Sequence, residues 1–149
     1  MMILVTGGMG YIGSHTVVEL LNLNYEVVVV DNLSNSSILV KDRIKKITNK
    51  DFKFYNVDVT DKESLKKVFE ENKIDSIIHF AAFKAVGESV EKPLEYYENN
   101  LVGALVVFEL MKEFNVNNFV FSSSATVYGK PKSCPIKEDF SLSTTNPYG

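Results

Sequence analysis

The 149-residue chain has no tryptophan, one cysteine and two histidines. With Cys134 alone, no intrachain disulfide can form, and the single thiol fits a reducing compartment. A catalytic thiol needs a base beside it, and no histidine stands near Cys134 in the sequence. His15 and His79 share no metal-ligand spacing, so no metal site is expected. No apolar run approaches the roughly 20 residues of a membrane-spanning helix. The opening Met1-Met2-Ile3-Leu4-Val5 lacks the basic segment and cleavage site of a secretory leader, and no leader is expected. The net charge is −3, and the basic pairs Lys45-Lys46 and Lys66-Lys67 sit in mixed-charge, helix-like segments. They read as solvated helix faces and give no footprint for nucleic acid.

What is present is an alternation of short apolar runs and amphipathic stretches. Ile3-Leu4-Val5 is stopped by Thr6-Gly7-Gly8 and reads as a buried strand. A helix is expected from Tyr11 to Leu23, with Ile12, Val17, Leu20 and Leu21 on its inner side. Val27 to Val30 are four β-branched residues in a row, the pattern of a parallel strand covered on both faces. A polar loop from Asp31 to Ser37 leads into a weaker helix ending near Ile47. Phe52 to Val57 reads as a third strand. Thr60-Asp61-Lys62-Glu63 has the spacing of a capping box and opens a helix with Leu65, Val68 and Phe69 inward. Ile74 to Phe80 is a fourth strand, a long helix runs from Pro93 to about Phe114, and Phe119 to Phe121 is a fifth strand. After Tyr128 the chain turns loop-like. Strands alternating with helices imply βαβ units, and the fold class is α/β with a doubly wound parallel sheet. No repeat or linker divides it.

The first strand runs directly into Gly7-Gly8-Met9-Gly10-Tyr11-Ile12-Gly13 and a helix. Gly7 allows a tight turn, Gly10 lets the backbone approach a pyrophosphate, and Gly13 lets the helix lie close on the strand. The helix start adds unpaired N–H groups and the positive end of its dipole. An unliganded glycine turn is the plain alternative. The next strand ends in Asp31, 24 positions after Gly7, where an acid accepts hydrogen bonds from an adenosine ribose. A carboxylate there repels a 2′-phosphate and no arginine adjoins it, which favours NAD over NADP.

At these residues the sequence resembles the extended short-chain dehydrogenase/reductase family, whose cofactor turn has this Thr-Gly-x-x-Gly-x-x-Gly form. Four further stretches narrow the likeness to its nucleotide-sugar C4 epimerases: Asp31 to Ser36, His79 to Ser89, Lys92 to Asn100, and Phe121 to Gly129. The resemblance implies a Rossmann-like NAD-binding domain over residues 1–149, with the sugar-binding part outside them. Tyr11 and Ile12 would lie against the pyrophosphate. Asp31, Asn32, Leu33, Ser34, Asn35 and Ser36 would surround the adenosine ribose, and Asp58 and Val59 would border the adenine. Phe80, Ala81, Ala82, Phe83 and Lys84 would pass beside the pyrophosphate and nicotinamide ribose, with Asn99 supporting the strand ends. Ser124 and Tyr148 would be the catalytic pair. Tyr148-Gly149 matches the start of the family's Tyr-x-x-x-Lys motif, whose lysine would follow beyond residue 149. The likeness further implies UDP-glucose and UDP-galactose as substrates, a homodimer when full length, and a cytoplasmic location.

These assignments have plain counterparts. Phe80 can be core, Lys84 a solvated loop charge, His79 a hydrogen-bonded core histidine, and Ser122 and Ser123 strand-end residues. The chemistry nevertheless suits the set. Epimerisation at C4 moves a hydride and a hydroxyl proton without breaking a net bond, and NAD takes the hydride. A phenol is a poor base at neutral pH, with an ordinary pKa of ~10, and a neighbouring ammonium favours its phenolate. Ser124 could hold or relay the proton of the sugar O4. A 4,6-dehydratase would need an additional acid where Ser124-Ala125-Thr126 stands, and none is present. Epimerases of UDP-N-acetylglucosamine or a UDP-pentose, and a non-catalytic NAD-binding module, remain the alternatives.

Overall fold

Successive side chains of a strand point to opposite faces of a sheet, and here both faces are apolar. In the computed structural model, which describes all residues 1–149, β1 (Met2–Thr6) and β2 (Glu26–Val30) lie at the centre. Ile3, Val5, Val27 and Val29 point to one face, where they meet Val17 and Leu21 of α1 (Tyr11–Asn22) and Ile44 of α2 (Leu39–Thr48). Leu4, Val28 and Val30 point to the other. There they meet Leu65, Val68 and Phe69 of α3 (Lys62–Glu71) and Val106, Val107 and Leu110 of α6 (Gly103–Glu113). Each of these fully buried aliphatic side chains contributes roughly 1.5–3 kcal/mol through the area it removes from water. A sheet buried on both faces needs no polar residues in its central strands, which is why β2 reads Val-Val-Val-Val.

The remaining strands are β3 (Lys53–Tyr55), β4 (Ser76–His79) and β5 (Asn118–Phe121). All five pair in parallel, in the order β3-β2-β1-β4-β5. The chain thus builds outward from β1 through β2 to β3, then crosses to the other side for β4 and β5. The strand order reverses between β1 and β4, and in open α/β sheets the crevice above such a switch point is where ligands bind.

Several expectations differ from the structure. The third strand is only Lys53–Tyr55, because as an edge strand it pairs with Val28, Val29 and Val30 alone. The fourth is likewise shortened to Ser76–His79. The cap of α3 is Asp61, whose carboxylate accepts from the Ser64 N–H at 3.2 Å, and not Thr60, whose hydroxyl turns back to Asp58 at 2.7 Å. Ile12 is half exposed at the mouth of the β1–α1 turn and takes no part in the core. A short helix not anticipated, α4 (Val86–Glu91), precedes α5 (Pro93–Tyr97). The expected long helix from Pro93 contains a π-helical turn at Glu98–Val102 that separates α5 from α6. A single 3-10 turn, Ala125–Tyr128, is the only helical structure after β5. No helix is long and apolar enough to cross a membrane.

Candidate functional site

The carboxyl ends of β1 and β4 meet at the switch point through backbone. Gly7 has φ +67°, in the left-handed region, and a Cβ there would stand 2.7 Å from the Ala81 nitrogen. Gly13 on the first turn of α1 is equally constrained: a Cβ would fall 2.2 Å from the Gly7 carbonyl oxygen. Only glycine lets the helix start sit this close to the turn. The amides of Tyr11, Ile12 and Gly13 have no acceptor in the chain, and no side chain caps the helix. Three N–H groups and a positive dipole end therefore face the crevice together, an arrangement suited to a pyrophosphate.

Asp31 follows β2 and lies beside this turn. Its Oδ2 accepts from the Met9 N–H at 2.9 Å, and its Oδ1 from the Leu33 N–H at 2.9 Å and the Ser36 hydroxyl at 2.8 Å. A carboxylate has about four acceptor positions, so one on Oδ2 is left for a ligand. The residue thus binds the glycine turn to the 31–36 loop and still lines the crevice.

The crevice is a cleft of about 320 Å³, within the size range of small-molecule sites. Gly7, Gly10, Tyr11, Ile12 and Gly13 form its floor on the β1 side. Asp31, Asn32, Ser34, Asn35, Ser36 and Val59 line the end beyond β2. Phe80, Ala81, Ala82, Phe83, Lys84 and Asn99 form the wall above β4, and Tyr148 closes it. Lys84 is the only cation on the lining.

Three of the expected site residues fall outside the lining. Leu33 has φ +58° and its side chain packs into the core cluster under α1 and α2. Asp58 turns away to the chain, accepting from Asn32 at 2.8 Å and from the Thr60 N–H and hydroxyl at 2.9 and 2.7 Å. Burial works to raise its carboxyl, but the bonds from Thr60 and Asn32 outweigh burial and hold it below the ordinary carboxylate range. Ser124 caps the 3-10 turn, its Oγ sharing a 2.8 Å bond with the Thr126 hydroxyl and accepting from the Thr126 N–H at 3.2 Å. Conversely, Val30, Val57, Ser122 and Ser123 line the cleft without having been expected there. Val30 and Val57 directly precede Asp31 and Asp58, so their position at strand ends was the available signal. Ser122 and Ser123 directly follow β5 and line the cleft at that strand's end.

His79 is the core histidine of the plain reading. It is 2% exposed, bonded through Nδ1 to the Thr6 hydroxyl at 2.7 Å, and stacked on Phe121. Burial lowers its pKa to about 4, so it is neutral at pH 7. No cluster of side chains could hold a metal ion. Cys134 is exposed and unpaired.

Comparison with known proteins agrees with this geometry. UDP-glucose 4-epimerase of Bacillus subtilis is 60% identical over 149 residues, covering 100% of this chain and 44% of the relative. The Haemophilus influenzae protein of the same name is 63% identical over 150 residues, with coverage of 100% and 44%. The crystal structure of the Bifidobacterium longum UDP-glucose 4-epimerase, solved in complex with NAD+ and UDP, superposes with a TM-score of 0.97 at 54% identity, covering 99% of this chain and 44% of that one. The chain therefore spans less than half the length of these relatives and corresponds to their N-terminal portion. The family model described as GDP-mannose 4,6 dehydratase matches residues 4–149, and the chain belongs to that family.

Proposed function

We propose that the cleft holds NAD, and that the longer protein of which this chain is the N-terminal portion interconverts UDP-glucose and UDP-galactose by transient oxidation at C4. One observation carries the cofactor half: three acceptor-less amides at a glycine-built helix start, opposite a carboxylate with a free acceptor position. The sugar half rests on the residues across the cleft, Lys84 and Tyr148, and on the likeness to epimerases over the whole chain.

Bound NAD would supply the hydride-accepting and hydride-donating chemistry at C4. The chain's own residues do the rest. The amides of Tyr11 to Gly13 would hold the pyrophosphate, and Asp31 the adenosine ribose. Tyr148 would take the proton of the sugar O4 as general base and give it back. Lys84, the one ammonium on the lining, would offer its positive charge beside the pyrophosphate and nicotinamide ribose. Ser124 would hydrogen-bond O4 after its hydroxyl leaves Thr126. Although the matching family model is described by a dehydratase, Ser124-Ala125-Thr126 offers no carboxylate to drive loss of water, which favours epimerisation. Dimerisation of the longer protein and a cytoplasmic location belong to the same reading.

The test is direct. Purified full-length protein given UDP-galactose and NAD should form UDP-glucose with no net consumption of NAD. UDP-galactose left unchanged would refute the activity.

A further inference from the structure

The segment that carries Lys84 has no regular secondary structure, yet its backbone is fixed on both sides of that residue. Before Lys84, the Phe83 N–H donates to Asn100 Oδ1 at 2.8 Å, and the Phe83 carbonyl accepts from Asn100 Nδ2 at 2.8 Å. After it, the Ala85 N–H donates to the Tyr96 hydroxyl at 3.1 Å. That hydroxyl in turn donates to Glu88 Oε2 at 2.9 Å, which leaves its lone pairs toward Ala85. Tyr96 is 2% exposed, and its ring meets Phe83 at 5.5 Å and Tyr148 edge-on at 6.5 Å.

Both clamps come from one helical stretch, Tyr96 at the end of α5 and Asn100 within the π-helical turn. π turns inside helices recur at functional sites. This one puts two adjacent asparagines to use at the strand ends. Asn99 lines the cleft and donates to Asn100 Oδ1 at 2.8 Å, while Asn100 holds Phe83. Lys84 itself makes no ion pair and no hydrogen bond to the chain. Its side chain is therefore placed only by its backbone.

We propose that Tyr96 and Asn100 are positioning residues that fix the backbone on either side of Lys84 and so direct its ammonium into the cleft. A long side chain loses rotamer freedom on being held. A fixed main chain keeps that cost from being compounded by loop motion. The inference rests on the reading of the cleft as an NAD site.

The experiment is a double-mutant cycle on NAD affinity, measured by calorimetry on full-length protein. Asn100→Ala strips both bonds to Phe83. Tyr96→Phe removes only the hydroxyl and keeps the buried ring, so the cycle survives if Asn100→Ala fails to fold. Lys84→Met should weaken NAD about ten-fold, the size of a lost charge-assisted hydrogen bond. With Lys84 present, each clamp variant should weaken NAD about five-fold; in the Lys84→Met background the loss should shrink below about two-fold. Equal losses in both backgrounds would mean that the clamps only support the fold, and the inference would be overturned. It would also fall if Lys84→Met bound NAD normally, with the cofactor reading intact. If the unsubstituted protein bound no NAD, both would fall.

Discussion

The two walls of the cleft are built differently. On the β1–β2 side nearly everything is backbone under constraint: Gly7 with φ +67°, Gly13 against the Gly7 carbonyl, and Asp31 bonded at three points to its surroundings. On the β4–β5 side the work falls to side chains on irregular chain. Tyr148 is held by its own N–H on Ser89 Oγ at 3.3 Å and by the edge of Tyr96, and Ser124 is turned onto Thr126. A phosphate cradle needs many fixed weak donors, which a strand-turn-helix supplies without side chains. Proton transfer needs one titratable group at one place, which any segment can deliver if something else fixes it. Here that fixing is done by α5 and the π turn, through the segment from Phe83 to Ser89.

The largest expected effect separates the walls outright. Tyr148→Phe in the full-length protein should lower kcat by about 10²–10⁴-fold, the usual weight of a general base, while the Kd for NAD stays within about two-fold. A comparable collapse of NAD affinity would show that Tyr148 belongs to the binding wall and that the two walls do not divide binding from proton transfer.

A second test bears on the residue that joins the walls. His79 at the end of β4 is bonded to Thr6 of β1 and stacked on Phe121 of β5. Its folded pKa of about 4 lies below the ordinary 6.5, so between these values the unfolded chain binds the extra proton. Its neutral burial therefore stabilises fully above pH 6.5, and that contribution is lost as pH falls toward 4. The loss is about 3 kcal/mol over the window. Asp58, whose folded pKa is lowered from its ordinary 3.8, contributes in the same direction, its stabilisation being lost mainly below this window as pH falls past 3.8, so the His79→Gln comparison isolates the histidine's share. Denaturant titrations at pH 6.5 and 4.5 should show the decline, and His79→Gln should remove about 2 kcal/mol of it. An unchanged slope in the variant would place the acid sensitivity elsewhere.

The same contrast explains what the sequence made legible. The glycine turn, Asp31 and the central strands follow from local rules: a run of valines reads as a doubly covered strand, and Gly7-x-x-Gly10-x-x-Gly13 between a strand and a helix reads as a close turn. The other wall depends on contacts distant in sequence. That Asn100 holds Phe83, or that Tyr96 reaches Ala85, is invisible until α5 is laid beside the end of β4. Leu33 is placed at the ribose only as part of the Asp31–Ser36 stretch that the resemblance implies; in the structure it has a positive φ and its side chain packs against the core. Asp58 read as adenine-facing, yet Thr60 and Asn32 satisfy it within the chain. Helix α4 is too short, at six residues, and has no side-chain cap to announce it.

Next in size is the binding wall. Asp31→Ala removes the proposed acceptor for the ribose and loosens the link from Met9 to the 31–36 loop. NAD affinity should fall roughly 10- to 100-fold, the cost of losing hydrogen bonds to a charged group, with kcat at saturating NAD little altered. This is the reverse of the Tyr148→Phe pattern. Calorimetry that finds unchanged affinity would remove Asp31 from the site and leave it only the structural role.

The smallest effect addresses Ser124, the one proposed proton-handling residue that does not reach the cleft. Its Oγ shares a hydrogen bond with the Thr126 hydroxyl, and a net bond of this kind is worth about 1 kcal/mol. If Ser124 must leave Thr126 to meet the sugar O4, that bond opposes every turnover. Thr126→Val keeps the shape of the side chain and the backbone N–H that Ser124 also accepts from, so the 3-10 turn should persist. Freed of its competitor, Ser124 should raise kcat/KM by up to about five-fold, with NAD affinity unchanged. A fall of similar size would mean that Thr126 orients the serine rather than sequesters it. The bonded arrangement would then be the working one, and the cleft would have to close toward Ser124 instead of Ser124 turning toward the cleft.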